Sequence, residues 1–444
     1  MSPAPIPCVV GQGSPVVFKA VVVHAVKYGE LELLDPGYLC VGGDGRIKWL
    51  DSTIEGKGVA PSDVVDLGTK IIMPGFVDTH CHAPQYPNAG TGMDLPLLEW
   101  LEKYTFPTEK HFSDPLFARD VYERVVLDTL RNGSTTVSYF ATIHLEASKI
   151  LADVCVEYGQ RAYVGKVNMD RNSPDFYVET TAESIQATED FIAYCKEVGS
   201  PLITPVITPR FVPTCTPELL AALGGLHERH KLPLQSHLSE NPGEVEWVQA
   251  LHPDSENYAH VYDMHGCLSE RAYMAHCVLC TPPEQAMLLD RRVGVAACAN
   301  SNMTLGSGIP PIVDYIKAGL KVGLGTDVSG GYSPSMLNAV RSTSFCAQAH
   351  RFACRAKGEA EHDHLSFREL FYLATMGGAR VLNLEGEVGN FLPGKQFDAL
   401  VVDAEALPLH RFGSNSTLDM VEKFLFNGDD RNIAAVFVGG AKVL

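Results

Sequence analysis

The chain is short of positive charge. Thirty-five Lys and Arg stand against 53 Asp and Glu, a formal net charge of −18 over 444 residues, and basic residues form no cluster. That balance disfavours nucleic acid and anionic membrane surfaces as partners. No stretch reaches the ~18 apolar residues of a membrane span. The opening MSPAPIPCVVGQGSPVVFKAVVVHAV lacks the basic start and unbroken apolar core of a secretory leader, so a cytoplasmic chain with reduced thiols is expected. Its 12 cysteines are scattered rather than regularly spaced. Cys277 and Cys280 in HCVLC lack the second pair that a structural zinc site needs, and read as buried thiols. There is no repeat of period 20–50 and no low-complexity tract. What remains is a globular composition, 45% hydrophobic, long enough for a large core and an accessory domain.

A strand–helix rhythm fills the middle of the chain. Candidate strands are GFVDTHCHA (75–83), TTVSYFA (135–141), RAYVGKVNM (161–169), LITPVITP (202–209), PLQSHLS (233–239), AYMAHCV (272–278), VGVAACANS (293–301) and KVGLGTDVS (321–329). Between them, segments such as FARDVYERVVLDTLRNG (117–133) repeat apolar residues every three or four positions, with Gly133 where a helix C-terminal glycine belongs. Eight such units over about 250 residues predict an α/β fold, a (β/α)₈ TIM-like barrel over 74–384, whose chemistry belongs at the strands' C-terminal ends. The flanks, 1–73 and 385–444, carry short alternating segments and too little apolar surface for separate cores. They are expected to pair into one small β-sandwich domain.

His80 and His82 lie two apart at the end of an apolar run. Side chains two apart in a strand point to one face, so both imidazoles can reach one metal ion. His362 and His364 share that spacing, but their charged, loop-like surroundings predict solvated side chains. His237 ends candidate strand five, His276 strand six and Asp327 strand eight. Three imidazoles and a carboxylate suit Zn²⁺ or another divalent first-row metal.

HxH on strand one, His on strands five and six and Asp on strand eight resemble the amidohydrolase superfamily. The resemblance spans nearly the whole chain. MDLPLLEWLEKYTFPTE (93–109), YFATIH (139–144), GKVNMDRN (165–172), ITPRF (207–211), QSHLSEN (235–241) and GLGTDVSGGYSPSML (323–337) are similar to its guanine deaminase family. One departure lies at Ala297–Ala299, where AACANSN replaces the family's frequent His-Cys-Pro before Asn-Ser-Asn. Some members bridge two metals with a carbamylated lysine ending strand four. Here Arg210 ends ITPRF and Lys166, on strand three, reads as structural, so a single ion is expected.

The resemblance implies one Zn²⁺ held by His80, His82, His237 and Asp327, with a zinc-bound hydroxide deaminating guanine to xanthine and ammonia. Zinc brings the pKa of its water from 15.7 toward about 7. Glu240 then carries protons, Asp327 accepts the water's proton and His276 orients the hydroxide. It implies that the base is bound by His82, Ala83, Pro84, Gln85, Arg210, Phe211, His237, Glu240 and Asp327, and that the chain forms a homodimer. A guanidinium at Arg210 suits the ring carbonyl, and Gln85 can donate and accept at ring nitrogens. Rival readings are another ring deaminase or chlorohydrolase-like enzyme of the same superfamily, and a non-catalytic scaffold of that fold. A cytidine-deaminase-type zinc site is disfavoured, because HLE (144–146) and HCVLC (276–280) lack the required proline and lie on separate strands.

Overall fold

The computed structural model describes residues 6–10 and 14–444. Residues 1–5 and 11–13, part of both the opening segment read for a leader and the flank 1–73, lie outside the described residues. The barrel strands are Phe76–His82, Ser134–Phe140, Arg161–Gly165, Ile203–Pro205, Leu234–Leu238, Ala272–His276, Gly294–Ala297 and Lys321–Leu324. They pair in parallel as two runs of four. A bridge between Ile207 and Leu234 joins the runs on one side. On the other, Asp327 N donates to His80 O at 2.8 Å and His82 N to Val328 O at 2.9 Å. Three of the residues that close the barrel there, His80, His82 and Asp327, are predicted metal ligands.

The first strand is buried at all seven positions, as expected for a strand with a packed interior on one face and helices on the other. Helix Pro115–Arg131 starts where Asp114 accepts from Leu116 N at 2.9 Å and proline occupies the first turn. It ends before Gly133, whose φ of +87° and close neighbour Leu400 leave no place for a Cβ. Helix Thr181–Val198 opens on a Thr180/Glu183 capping box. Two predicted strands overran: strand eight stops at Leu324, and in 293–301 the strand stops at Ala297 before helix Ala299–Thr304. Strands three and four are interrupted instead, ending at Gly165 and Pro205 and resuming as Val167–Asn168 and Thr208–Pro209, which pair in parallel. Apolar continuity does not mark where a buried strand gives way to a buried turn.

Strands from both ends of the chain form one seven-stranded sheet. Its order is Ala441–Lys442, Ile433–Val438, Ala399–Val402, Val64–Pro74, Val16–Lys27, Glu30–Val41 and Ile47–Asp51. The sheet curls until Ile47 N donates to Lys395 O at 2.8 Å and Phe397 N to Gly45 O at 2.9 Å. It thereby encloses its own core, in which Phe18 stacks on Phe397 with ring centroids 5.7 Å apart. The sandwich is thus one sheet folded over rather than two. Buried Arg161, at the start of barrel strand three, ties it to the barrel: Nη2 lies 3.1 Å from Asp398 Oδ1 and donates to Gln396 Oε1 at 2.7 Å.

One expectation is corrected. His364 is exposed, but His362 is buried and stacks on His350 with centroids 5.4 Å apart. The charged sequence around it faces solvent while this one ring turns inward. Cys277 and Cys280 are buried thiols, as read.

Candidate active site

His80 and His82 close barrel strand one, His237 lies in strand five, His276 is the last residue of strand six, and Asp327 follows strand eight by three residues. All five are buried. The rings of His80 and His82 meet edge to face at 4.9 Å, as period two requires of neighbours on one face. His276 and Asp327 hold positive φ, 70° and 49°. That region costs a non-glycine residue about 1–3 kcal/mol and is concentrated at functional sites.

His82 Nε2 is 3.2 Å from His237 Nε2, and Asp327 Oδ1 is 3.2 Å from His80 Nε2 and 3.5 Å from His82 Nε2. Donors about 2.0–2.2 Å from a tetrahedral ion stand about 3.3–3.6 Å apart, so these spacings fit one ion. Burial holds His80 below the ordinary imidazole range, and His82 and His237 well below it, which keeps their lone pairs free. Burial pushes the Asp327 carboxyl up, but the imidazoles of His80, His276 and His82 outweigh it and hold the group low and ionised. His80 Nε2 is buried without a well-formed hydrogen bond, a costly state unless a metal takes its lone pair. His237 Nδ1 lies 2.6 Å from Arg210 O, and this hydrogen bond aims Nε2 at the cluster.

His276 sits beside this group. Its Nδ1 is 2.8 Å from Asn302 Oδ1, a contact that orients the ring and its Nε2. That nitrogen is 3.4 Å from Glu240 Oε2 and 3.7 Å from Asp327 Oδ2. Cys298, unnoticed in the sequence, joins His80, His276 and Asp327 in a second metal-capable grouping. Burial pushes its thiol far up, so it remains protonated at neutral pH. The Ala297–Ala299 departure therefore still supplies the Asn302 that seats His276.

Glu240 lies two residues past strand five, buried, with Ser307 Oγ donating to Oε1 at 3.4 Å. Burial first, then the carboxylates of Glu244 and Asp327, push Glu240 well above the ordinary carboxylate range.

The opposite wall comes from the connection after strand one. Ala83–Asn88 forms a tight helical turn, followed by Leu97–Trp100, a π turn over Leu101–Thr105 and Phe106–Glu109. The π turn, with Phe106 N bonded to Leu101 O, falls where Pro107 has no N–H to continue an α-helical ladder. His82, Gln85, Trp100, Leu101, Arg210, Phe211, His237, Glu240, His276 and Asp327 all line one cavity. Ala83 and Pro84 are buried in the turn that carries Gln85 without lining the cavity.

Glu109 was missed. It is fully buried and accepts from Arg210 Nη1 at 2.7 Å, Arg210 Nη2 at 3.1 Å and Gln85 Nε2 at 2.9 Å. Its only mark in the sequence is its place as the last residue of MDLPLLEWLEKYTFPTE (93–109). Arg210 lies over the Phe106 ring at 5.1 Å. Burial lowers its guanidinium, but the Glu109 carboxylate more than offsets this and raises it.

The chain is similar to known proteins over almost its whole length. The sequence model described as "Amidohydrolase family" matches residues 71–443. Guanine deaminase of Dictyostelium discoideum is 45% identical over 445 residues, 96% of this chain and 98% of that one. Guanine deaminase of Homo sapiens is 41% identical, with 96% of both chains covered. The crystal structure of guanine deaminase from C. acetobutylicum, with guanine bound in its active site, superposes with a TM-score of 0.90 at 36% identity. It covers 97% of this chain and 100% of its own. With metal-capable histidines and an aspartate at the strand ends of its barrel, and matches running almost end to end, the chain belongs to the amidohydrolase family.

Proposed function

We infer that the chain catalyses hydrolytic deamination of guanine to xanthine and ammonia. The observation that carries this reading is one cavity with a metal-capable cluster at one end and the Gln85–Arg210 wall at the other, Glu240 facing both. Near full-length similarity to guanine deaminases supports it.

His80, His82, His237 and Asp327 would hold one Zn²⁺. A zinc ion there supplies a water acidic enough to react near neutral pH. Asp327 accepts that water's proton, and His276 Nε2 holds the attacking oxygen in line by a hydrogen bond. Glu240 gives its proton to the ring nitrogen beside C2 as the oxygen adds to C2. The exocyclic amine then takes the proton held by Asp327 and leaves as ammonia, while the new C2 hydroxyl returns its proton to Glu240 and becomes the carbonyl, so guanine and water become xanthine and ammonia. Arg210 donates to O6, Gln85 pairs with ring N–H and nitrogen, and Phe211 covers the ring. Adenine presents an amine where Arg210 needs an acceptor, and a site that leaves buried donors unpaired discriminates strongly.

We read the chain as a cytoplasmic homodimer. Eleven cysteines are buried as thiols, and no helix among the described residues is long and apolar enough to cross a membrane. Helix Met336–Lys357 exposes Phe345 and Phe352, apolar surface suited to a second copy.

The test is turnover. Purified protein given guanine should release ammonia and xanthine in equal amounts, with adenine and cytosine left intact. No ammonia from guanine, with ammonia from another ring, would transfer the site to a different deaminase.

A further inference from the structure

Glu109 touches the cavity nowhere, yet it sets both groups assigned to recognition. Gln85 is pinned at each end of its amide. Oε1 accepts from Ser329 N at 3.2 Å and Nε2 donates to Glu109 at 2.9 Å. This leaves one N–H and one lone pair for a ligand, in a fixed order. Arg210 spends one N–H of each terminal nitrogen on Glu109, which also cancels the guanidinium charge in a fully buried place. The Tyr177 hydroxyl sits against the same carboxylate. A guanidinium paired in this way remains a hydrogen-bond donor but no longer attracts anions. A bare one would bind a carboxylate or other planar anion in its fork.

We propose that Glu109 is the positioning and specificity-determining residue of the recognition wall: by holding Gln85 and neutralising Arg210, it restricts the cavity to uncharged rings that present a carbonyl. This rests on the assignment of Arg210 to the ring carbonyl. It adds a consequence that assignment lacks, a penalty on anionic purines set by a residue no ligand contacts.

The experiment compares wild type, Glu109→Gln and Glu109→Asp, all metal-loaded. Measured are kcat and KM for guanine, metal content, and equilibrium binding of two inert probes, purine-6-carboxamide and purine-6-carboxylate. Wild type should bind the neutral carboxamide more tightly than the carboxylate. Glu109→Gln preserves shape but removes the charge. It should keep its metal, raise KM for guanine at least tenfold with a smaller change in kcat, and reverse the probe order. Glu109→Asp restores the charge with a shorter reach. It should return the wild-type probe order while KM stays raised.

A role in folding alone predicts parallel weakening of both probes, and that result overturns the proposal. So does an unchanged KM in Glu109→Gln. Should Glu109→Gln fail to fold, a wild type that prefers the carboxylate, or a Glu109→Asp variant that does, refutes it. Failure of the guanine reading appears separately, as absent turnover in wild type, while probe binding still reports on Glu109.

Discussion

The Nδ1 of His237 hydrogen-bonds the main-chain carbonyl of Arg210 at 2.6 Å, while the Arg210 side chain pairs with Glu109 on the other wall. One residue therefore serves both ends of the cavity, the backbone steering a proposed metal ligand and the guanidinium forming part of the proposed recognition wall. The two roles separate cleanly by mutation, because a side-chain change leaves the carbonyl in place.

Arg210→Met should accordingly keep its metal and lose guanine kcat/KM. A charge-assisted hydrogen bond contributes about 1.5–3 kcal/mol, or roughly tenfold to over a hundredfold at 1.36 kcal/mol per decade. Loss on 2-aminopurine, which has no ring carbonyl, should be much smaller. The same change leaves buried Glu109 without its counter-charge, held only by Gln85 and Tyr177, and breaking such a buried ion pair costs about 3–5 kcal/mol. A lowered Tm is therefore expected as well. Arg210→Lys should recover more of the stability than of the kcat/KM, since lysine restores charge without the fork. Equal loss on both substrates would remove Arg210 from ring recognition.

Glu240→Gln should retain the metal and most of the binding affinity for guanine. Glutamine fills the same space and cannot carry the proton, and loss of a general acid or base costs ~10²–10⁴-fold. Single-turnover measurement on metal-loaded protein checks this, and a wild-type kcat would assign the proton transfer elsewhere.

Metal analysis of protein purified without added metal should give about one equivalent of zinc per chain. His237→Ala should lose it, with a fall in Tm, because an ion bound only by the folded chain stabilises that chain. Two firmly held equivalents would contradict the single-ion reading.

Acid stability should depend on His227. This ring is buried on helix Pro217–His230, with Nε2 2.8 Å from Ser269 Oγ. Burial, then Arg271, pulls it down from 6.5 to about 4. The unfolded chain therefore takes up a proton, as pH falls through 6.5, that the folded chain refuses until about 4. That contribution to stability is complete above 6.5 and is lost across this window. His227→Gln should have a Tm that declines less steeply over the same range. Parallel Tm–pH curves would show that His227 does not govern acid stability.

Local periodicity made the barrel and the ends of its strands readable. His80 and His82 stand on one face because strand side chains repeat every two residues, and His237, His276 and Asp327 each follow an apolar run. Convergence of those ends on one point is a property of any closed parallel barrel, so the cluster could be inferred without contacts. Glu109 could not. Its partner Arg210 lies 101 residues away, and only burial of both makes the pairing obligatory. Asn302 was hidden for the same reason, since its role depends on where His276 Nδ1 points. His362 shows the reverse error: a polar neighbourhood along the chain surrounds a ring that packs against His350. Spacing along the chain carries the direction a side chain takes from its own strand. It carries no record of which distant group must neutralise a charge once water has been excluded.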